Sequence, residues 1–201
     1  MNRRGMTLLE LLVGLMVTGL VLGAGYGALG TIVDQRERAD EIVGSTARAA
    51  AVRRTLIGWL DGARISMDKA GPPFRGLDGV YEQTPDDELS FLTTGASPLG
   101  EGEIVVRLYV DRDTATAERG LVADISTWPE LVVRRYEVEP RVAGLELRYF
   151  TWMLGHGEWL PSWISSTVMP AGVELTLVPQ PGDTLPALLA KPIVLPLGAS
   201  R

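Results

Sequence analysis

Residues 5–33 read GMTLLELLVGLMVTGLVLGAGYGALGTIV, and the reading of this stretch decides the fold. The 23 residues from Leu11 to Val33 carry no charge. As a helix such a run is about 35 Å long, enough to cross the hydrocarbon core of a bilayer. Arg3 and Arg4 precede it, and Asp34–Glu41 after it carries both signs with acid in excess. The positive-inside rule then keeps the N-terminus cytoplasmic and exports the remainder of the chain. A cleaved secretory signal has a shorter apolar centre of ~7–15 residues, and Ala24-Gly25-Tyr26 is a poor small-x-small cleavage site. A plain membrane anchor fits the length but leaves Glu10 unexplained. A carboxylate in a membrane segment costs roughly 2.5–3.5 kcal/mol at mid-bilayer, less near the edge, and such a residue usually has a partner.

Outward from this run the helical pattern continues and changes character. No Pro interrupts Met6 to Met67. Ile42, Val43, Thr46, Ala49, Ala50, Leu56, Ile57, Leu60 and Ala63 recur on one helix face, with Arg53 the exception on that stripe. The spacing predicts one long helix, apolar all round first and amphipathic later. Lys69-Ala70-Gly71-Pro72-Pro73 is expected to stop it. Gly19, Gly23 and Gly27 fall at i, i+4 and i+8, where small residues let membrane helices approach closely.

Arg75 to Glu88 is Gly-, Asp- and Pro-rich and reads as a surface connection with a short strand at Val80-Tyr81. Strands are expected at Glu88–Thr93, Glu103–Asp111, Leu131–Val138, Val142–Trp152, Gly172–Val178 and Pro192–Leu197. Leu145-Glu146-Leu147-Arg148-Tyr149 alternates, as does Val173-Glu174-Leu175-Thr176-Leu177, which means antiparallel sheet with one wet face. Strands in a row after one helix give an α+β class, a long N-terminal helix whose second half packs on an antiparallel β-sheet head. The stretch Pro179 to Pro192 has no assignment.

Composition excludes much chemistry. The 201 residues hold no Cys and one His, which removes disulfides, thiolate metal sites, thiol catalysis and multi-histidine metal centres. A net charge of −6 speaks against nucleic acid as a partner, and Arg134-Arg135 is too small a basic patch to change that. His156 lies between Gly155 and Gly157 and reads as an exposed turn residue, since no Gly-x-Ser-x-Gly elbow accompanies it. Asp86-Asp87-Glu88 and Asp111-Arg112-Asp113 lack calcium-loop spacing and read as solvated turn charges. Trp128, Trp152, Trp159 and Trp163 could form an aromatic or carbohydrate platform, but at strand spacing they read as core or subunit-contact residues. No metal site, no cofactor and no small-molecule substrate is expected, and the chain is expected not to be an enzyme.

Gly5-Met6-Thr7-Leu8-Leu9-Glu10-Leu11-Leu12-Val13 resembles the class III signal of type IV pilins and pseudopilins: a short basic leader ending in Gly, an apolar residue, Thr, two apolar residues and Glu. The resemblance implies that a prepilin peptidase cuts between Gly5 and Met6 and methylates the new amine of Met6. The apolar stretch is then retained as an assembly helix, with Glu10 the fifth residue of the mature chain. Met6 stands where the family most often has Phe. Losing Arg3 and Arg4 takes the formal charge from −6 to −8. The implied organisation is a leader at 1–5, a transmembrane assembly helix at 6–33, its amphipathic continuation at 34–68 and a periplasmic β-rich head at 69–201. A neighbour's N-terminal amine and the Glu10 carboxylate would neutralise each other in low dielectric, and breaking such a pair costs about 3–5 kcal/mol. The resemblance thus implies that Glu10 serves as a register device for filament assembly rather than as a catalyst.

A narrower resemblance covers the chain after Glu88. Glu88-Leu-Ser-Phe-Leu-Thr-Thr-Gly95, then Leu145-Glu-Leu-Arg-Tyr-Phe-Thr-Trp152 with Trp159 and Trp163, then Met169-Pro-Ala-Gly-Val-Glu-Leu-Thr-Leu177 follow the order of the J-type minor pseudopilin of type II secretion. This implies an inner-membrane, single-pass subunit that joins the I- and K-type minor pseudopilins at the tip of a periplasmic filament. Trp128, Trp159 and Trp163 are then candidate partner contacts. A minor pilin of a type IV pilus or competence filament shares the N-terminal signal and is the nearest alternative. A membrane-anchored periplasmic binding module or enzyme is the remote one.

Overall fold

The computed structural model describes residues 8–68, 71–95, 99, 102–129, 133–153 and 155–197, with the backbone alone at 8–11 and 20–42. The fold is α+β. One helix, α1, runs from Leu8 to Asp61, and strands fill most of the rest. The chain divides into two compact units, residues 1–45 and 46–201.

Within the second unit the last turns of α1 behave as the stripe predicts at its C-terminal end. Ala49, Leu56 and Leu60 are buried and Ile57 packs against them, whereas Val43, further back, is exposed. Trp59, three residues after Leu56, is buried on the same side. Arg53 keeps its place on the stripe because its Nη1 donates to the Leu188 carbonyl at 2.9 Å.

The helix ends seven residues before the expected stop region. The reason is a close approach to the sheet. A Cβ at Gly62 would lie 2.7 Å from both Gly95 N and Thr93 Oγ1, so only Gly fits there. The Gly62 N–H bonds to the Gly58 carbonyl, the Thr94 N–H bonds to the Gly62 carbonyl, and Thr93 Oγ1 donates to the Trp59 carbonyl. Strand pairing then takes Ala63-Arg64 as β1, overriding the helical propensity of the following residues.

The larger sheet contains β2 (Phe74–Leu77), β5 (Glu88–Thr93), β6 (Ile104–Asp111), β7 (Gly120–Thr127), β8 (Val133–Glu139) and β11 (Trp163–Ser165), in the order β11-β2-β5-β6-β7-β8. All its pairs are antiparallel, and β1 shares the edge of β5 with β2. The second sheet has the order β10-β9-β12-β13, from β9 (Val142–Met153), β10 (His156–Leu160), β12 (Gly172–Pro179) and β13 (Ile193–Pro196). A two-residue hairpin pairs β3 (Val80–Tyr81) with β4 (Thr84–Pro85).

One core joins these layers. Phe91, Val106, Leu108 and Ile125 from the larger sheet, Leu145, Leu147, Tyr149 and Leu175 from the smaller, and Leu56 and Leu60 from α1 lie in one buried cluster. Each such side chain contributes about 1.5–3 kcal/mol when removed from water.

The expected strands at 88–93, 103–111, 142–152, 172–178 and 192–197 occur within one or two residues, and β8 covers the described part of the one expected at 131–138, whose first two residues lie outside the described residues. The strand reading omits β7, an interior strand next to the edge strand β8, although it is buried at six of its eight positions. It also missed β2, β10 and β11. The unassigned Pro-rich stretch carries a one-turn helix, α2 (Ala187–Ala190), which buries Leu189.

Candidate functional site

Over residues 12–19, α1 presents an apolar surface. Leu12, Val13, Leu15, Met16 and Val17 are all exposed, Met16 to 68%. Nothing lies within reach of a Cβ at Gly14 or Gly19. Thr18 satisfies its hydroxyl within the helix, donating to the Gly14 carbonyl at 2.7 Å, so this turn asks for no water. An all-round apolar helix of this kind is stable only against lipid or other helices. Among the described residues no helix is long and apolar enough to cross a membrane, and most of the apolar run of 11–33 falls outside the described side chains. Gly5 and Met6, the Glu10 side chain, and the surroundings of Gly23 and Gly27 likewise lie outside the described residues.

The tryptophans separate into distinct environments. Trp128 is half-buried and precedes the cis peptide to Pro129. Trp163 is half-buried in β11, its Nε1 donating to the Val168 carbonyl at 3.1 Å. Trp159 in β10 is half-buried, its ring 5.2 Å from that of Phe150. The most open of the four is Trp152, at 68%, which stacks edge-on against Phe150 at 5.5 Å. The structure therefore gathers Phe150, Trp152 and Trp159 on the outer face of the smaller sheet and leaves Trp128 and Trp163 elsewhere. Helical period could have placed Trp59 in the core, since Leu56, Trp59 and Leu60 stand at i, i+3 and i+4.

The acidic runs are solvated turn charges only in part: Asp113 is exposed in the loop after β6, whereas the others are paired or buried. Asp87 is buried and accepts hydrogen bonds from the Gly79 N–H at 2.9 Å and the Leu147 N–H at 2.6 Å. Burial pushes its carboxyl above 3.8, only partly offset by those two donors. Asp86 pairs with Arg112 and Glu88 with Arg107. Arg135 bridges Asp124 at 2.8 Å and Asp111 at 3.1 Å, and the Tyr109 hydroxyl donates to Asp124 at 3.0 Å. Burial and the Asp124 carboxylate push the Tyr109 phenol up to about 12. Local sequence does not reveal this network, because its members lie on three different strands, β6, β7 and β8. His156 is exposed at the start of β10, after Gly155 at φ +86°, and makes no side-chain hydrogen bond among the described residues.

Residues 1–26 match the family model described as the prokaryotic N-terminal methylation motif, characteristic of type IV pilins and pseudopilins. No curated protein matches the chain.

Proposed function

We propose that this chain is a structural minor pseudopilin of a type II secretion system, J type, with a pilin-like fold and no catalytic activity or cofactor of its own. It is cleaved between Gly5 and Met6 by a prepilin peptidase, methylated at Met6, and held in the inner membrane with its N-terminus cytoplasmic and its β-rich head periplasmic. With the I- and K-type minor pseudopilins it forms the tip that starts the periplasmic filament for protein export. The observation that carries this reading is the methylation motif at residues 1–26, which leads into a helix whose described apolar side chains stand bare. The order of strands supports the J type. The β9 strand with Arg148-Tyr149 turns through a Trp-containing hairpin into β10, and Pro170 leads into β12 with Val173-Glu174.

Mass spectrometry of the N-terminus, from a host that retains its prepilin peptidase, tests the first half. A chain starting at methylated Met6 is expected; one that keeps Met1–Gly5, or is cut near Gly25, overturns the pilin reading. Proteins co-purified from membrane extracts test the second half. I- and K-type pseudopilins are expected, whereas type IV pilus subunits in their place would assign the chain to a pilus or competence filament.

A further inference from the structure

A cleft of about 370 Å³ opens on the outer face of the smaller sheet, between the β3–β4 hairpin and β10. Trp159 and Pro161 form its apolar wall, and Asp78, Gln83, Glu146 and Arg148 surround it. The side chains of Asp78, Gln83 and Glu146 make no hydrogen bond or ion pair among the described residues, and all three are exposed. Arg148 stands 5.5 Å from the Trp159 ring centroid, and its one ion pair among the described residues is a loose 4.0 Å contact with Glu174, so its donors are scarcely used. Arg107 and Arg135 of the larger sheet behave otherwise, being tied to Glu88, Asp111 and Asp124 in short ion pairs.

Two features hold the wall in place. Phe150 packs against Trp159 and lies over Gly157, where a Cβ would come within 2.5 Å of its ring. Glu82 and Gln83 turn the β3–β4 hairpin at φ +47° and +70°. This left-handed conformation favours Gly or Asn, and for other residues it costs about 1–2 kcal/mol each. The hairpin retains that strain while placing Gln83 at the cleft, and such strain in a non-Gly residue concentrates at ligand sites.

We propose that this cleft binds a neutral saccharide. A pyranose ring presents a face of C–H groups, which packs on an indole, and a rim of hydroxyls, which need planar donors and acceptors beside that indole. Trp159 supplies the face; the carboxylates of Asp78 and Glu146, the amide of Gln83 and the guanidinium of Arg148 supply the rim. The volume suits one or two sugar rings and is at the small end of ligand pockets. Carboxylates outnumber the single guanidinium, so a uronate is repelled and a neutral ring is taken. A flat protein partner would use the open Trp152 further along β9 and would leave the polar rim unpaired at a cost.

The test uses the full-length chain in a zwitterionic detergent without sugar headgroups. Cellotetraose, chitotetraose and tetragalacturonate are titrated, with tryptophan fluorescence and saturation-transfer NMR as readouts. At least one neutral tetramer is expected to bind with a millimolar or tighter dissociation constant, and the uronate about tenfold more weakly. Trp159→Ala and Glu146→Gln should each weaken binding about tenfold. Gln83→Gly relieves the backbone at +70° and should leave the fold at least as stable while weakening binding similarly. Failure of both neutral tetramers at about 10 mM, tighter binding of the uronate, or binding unchanged in Gln83→Gly and Trp159→Ala together overturns the proposal.

Discussion

The Asp87 carboxylate, immediately before β5 of the larger sheet, accepts a 2.6 Å hydrogen bond from the Leu147 N–H of β9 in the smaller one. Its other oxygen holds the Gly79 N–H, and the Asp87 N–H returns a bond to the Leu145 carbonyl at 3.0 Å. A side chain thereby does between the sheets what a strand ladder does within one. Asp87→Ala strands two backbone donors, each worth about 1–3 kcal/mol when left unpaired, so a loss of about 2–4 kcal/mol is expected in the urea midpoint.

The same residue gives a pH signature. Burial raises the folded-state pKa of Asp87 above 3.8, so between these two values the folded state binds more protons than the unfolded one. Its contribution is therefore most favourable below pH 3.8 and declines as pH rises through the folded pKa. The stability gap between the wild type and Asp87→Asn should be widest in acid and narrow toward neutrality. Asp111 works in the opposite sense. Burial raises its pKa, but the Asp113 N–H, the Thr116 hydroxyl and Arg135 outweigh that and leave it below 3.8. Its stabilisation is present above that value and lost as pH falls, so Asp111→Asn should cost least in acid. Denaturant midpoints at about pH 3 and 7 distinguish the two trends.

Thr93 fastens the end of α1 to the sheet. Its hydroxyl donates to the Trp59 carbonyl at 2.7 Å and accepts from the Gly95 N–H at 2.9 Å. Thr93→Val keeps the shape and removes both bonds, for an expected loss of about 1–3 kcal/mol, whereas Thr93→Ser should recover most of it. Thermal melts of the two variants check this.

Tyr149 predicts the reverse. Its hydroxyl is buried with no hydrogen-bond partner among the described residues. Tyr149→Phe removes that unpaired group and should be neutral or stabilising by up to about 1 kcal/mol. Gly76 faces the same hydroxyl, and a Cβ there would collide with it. Gly76→Ala should therefore destabilise by about 1–3 kcal/mol, and the double variant with Tyr149→Phe should recover part of that, as a double-mutant cycle would measure.

For assembly, Glu10→Ala should still insert and be cleaved, since losing the charge eases insertion, but it should fail to co-purify with partner pseudopilins. Wild-type secretion in that variant would remove the register role. A fragment starting at Thr46 keeps Ala49, Leu56, Trp59 and Leu60 and should be soluble. One starting at Gly62 lacks all four and should aggregate, as gel filtration will show.

The sequence by itself determined the N-terminal signal, the long helix, the α+β class and most strands. Each is written in local order: a charge-free run, a period of 3.6, an alternation such as Leu145 to Tyr149. Tertiary structure alone decided where the helix stops, because the limit at Gly62 is set by Gly95 and Thr93, some thirty residues away. It alone made β7 a strand, since Asp124 interrupts the apolar run and is tolerated only because Arg135 and Tyr109, on neighbouring strands, pair with it. It also turned an acidic triplet into a buried clasp and chose which tryptophans meet. Those outcomes depend on which distant residues a folded chain brings within about 3 Å, and no local pattern carries that information.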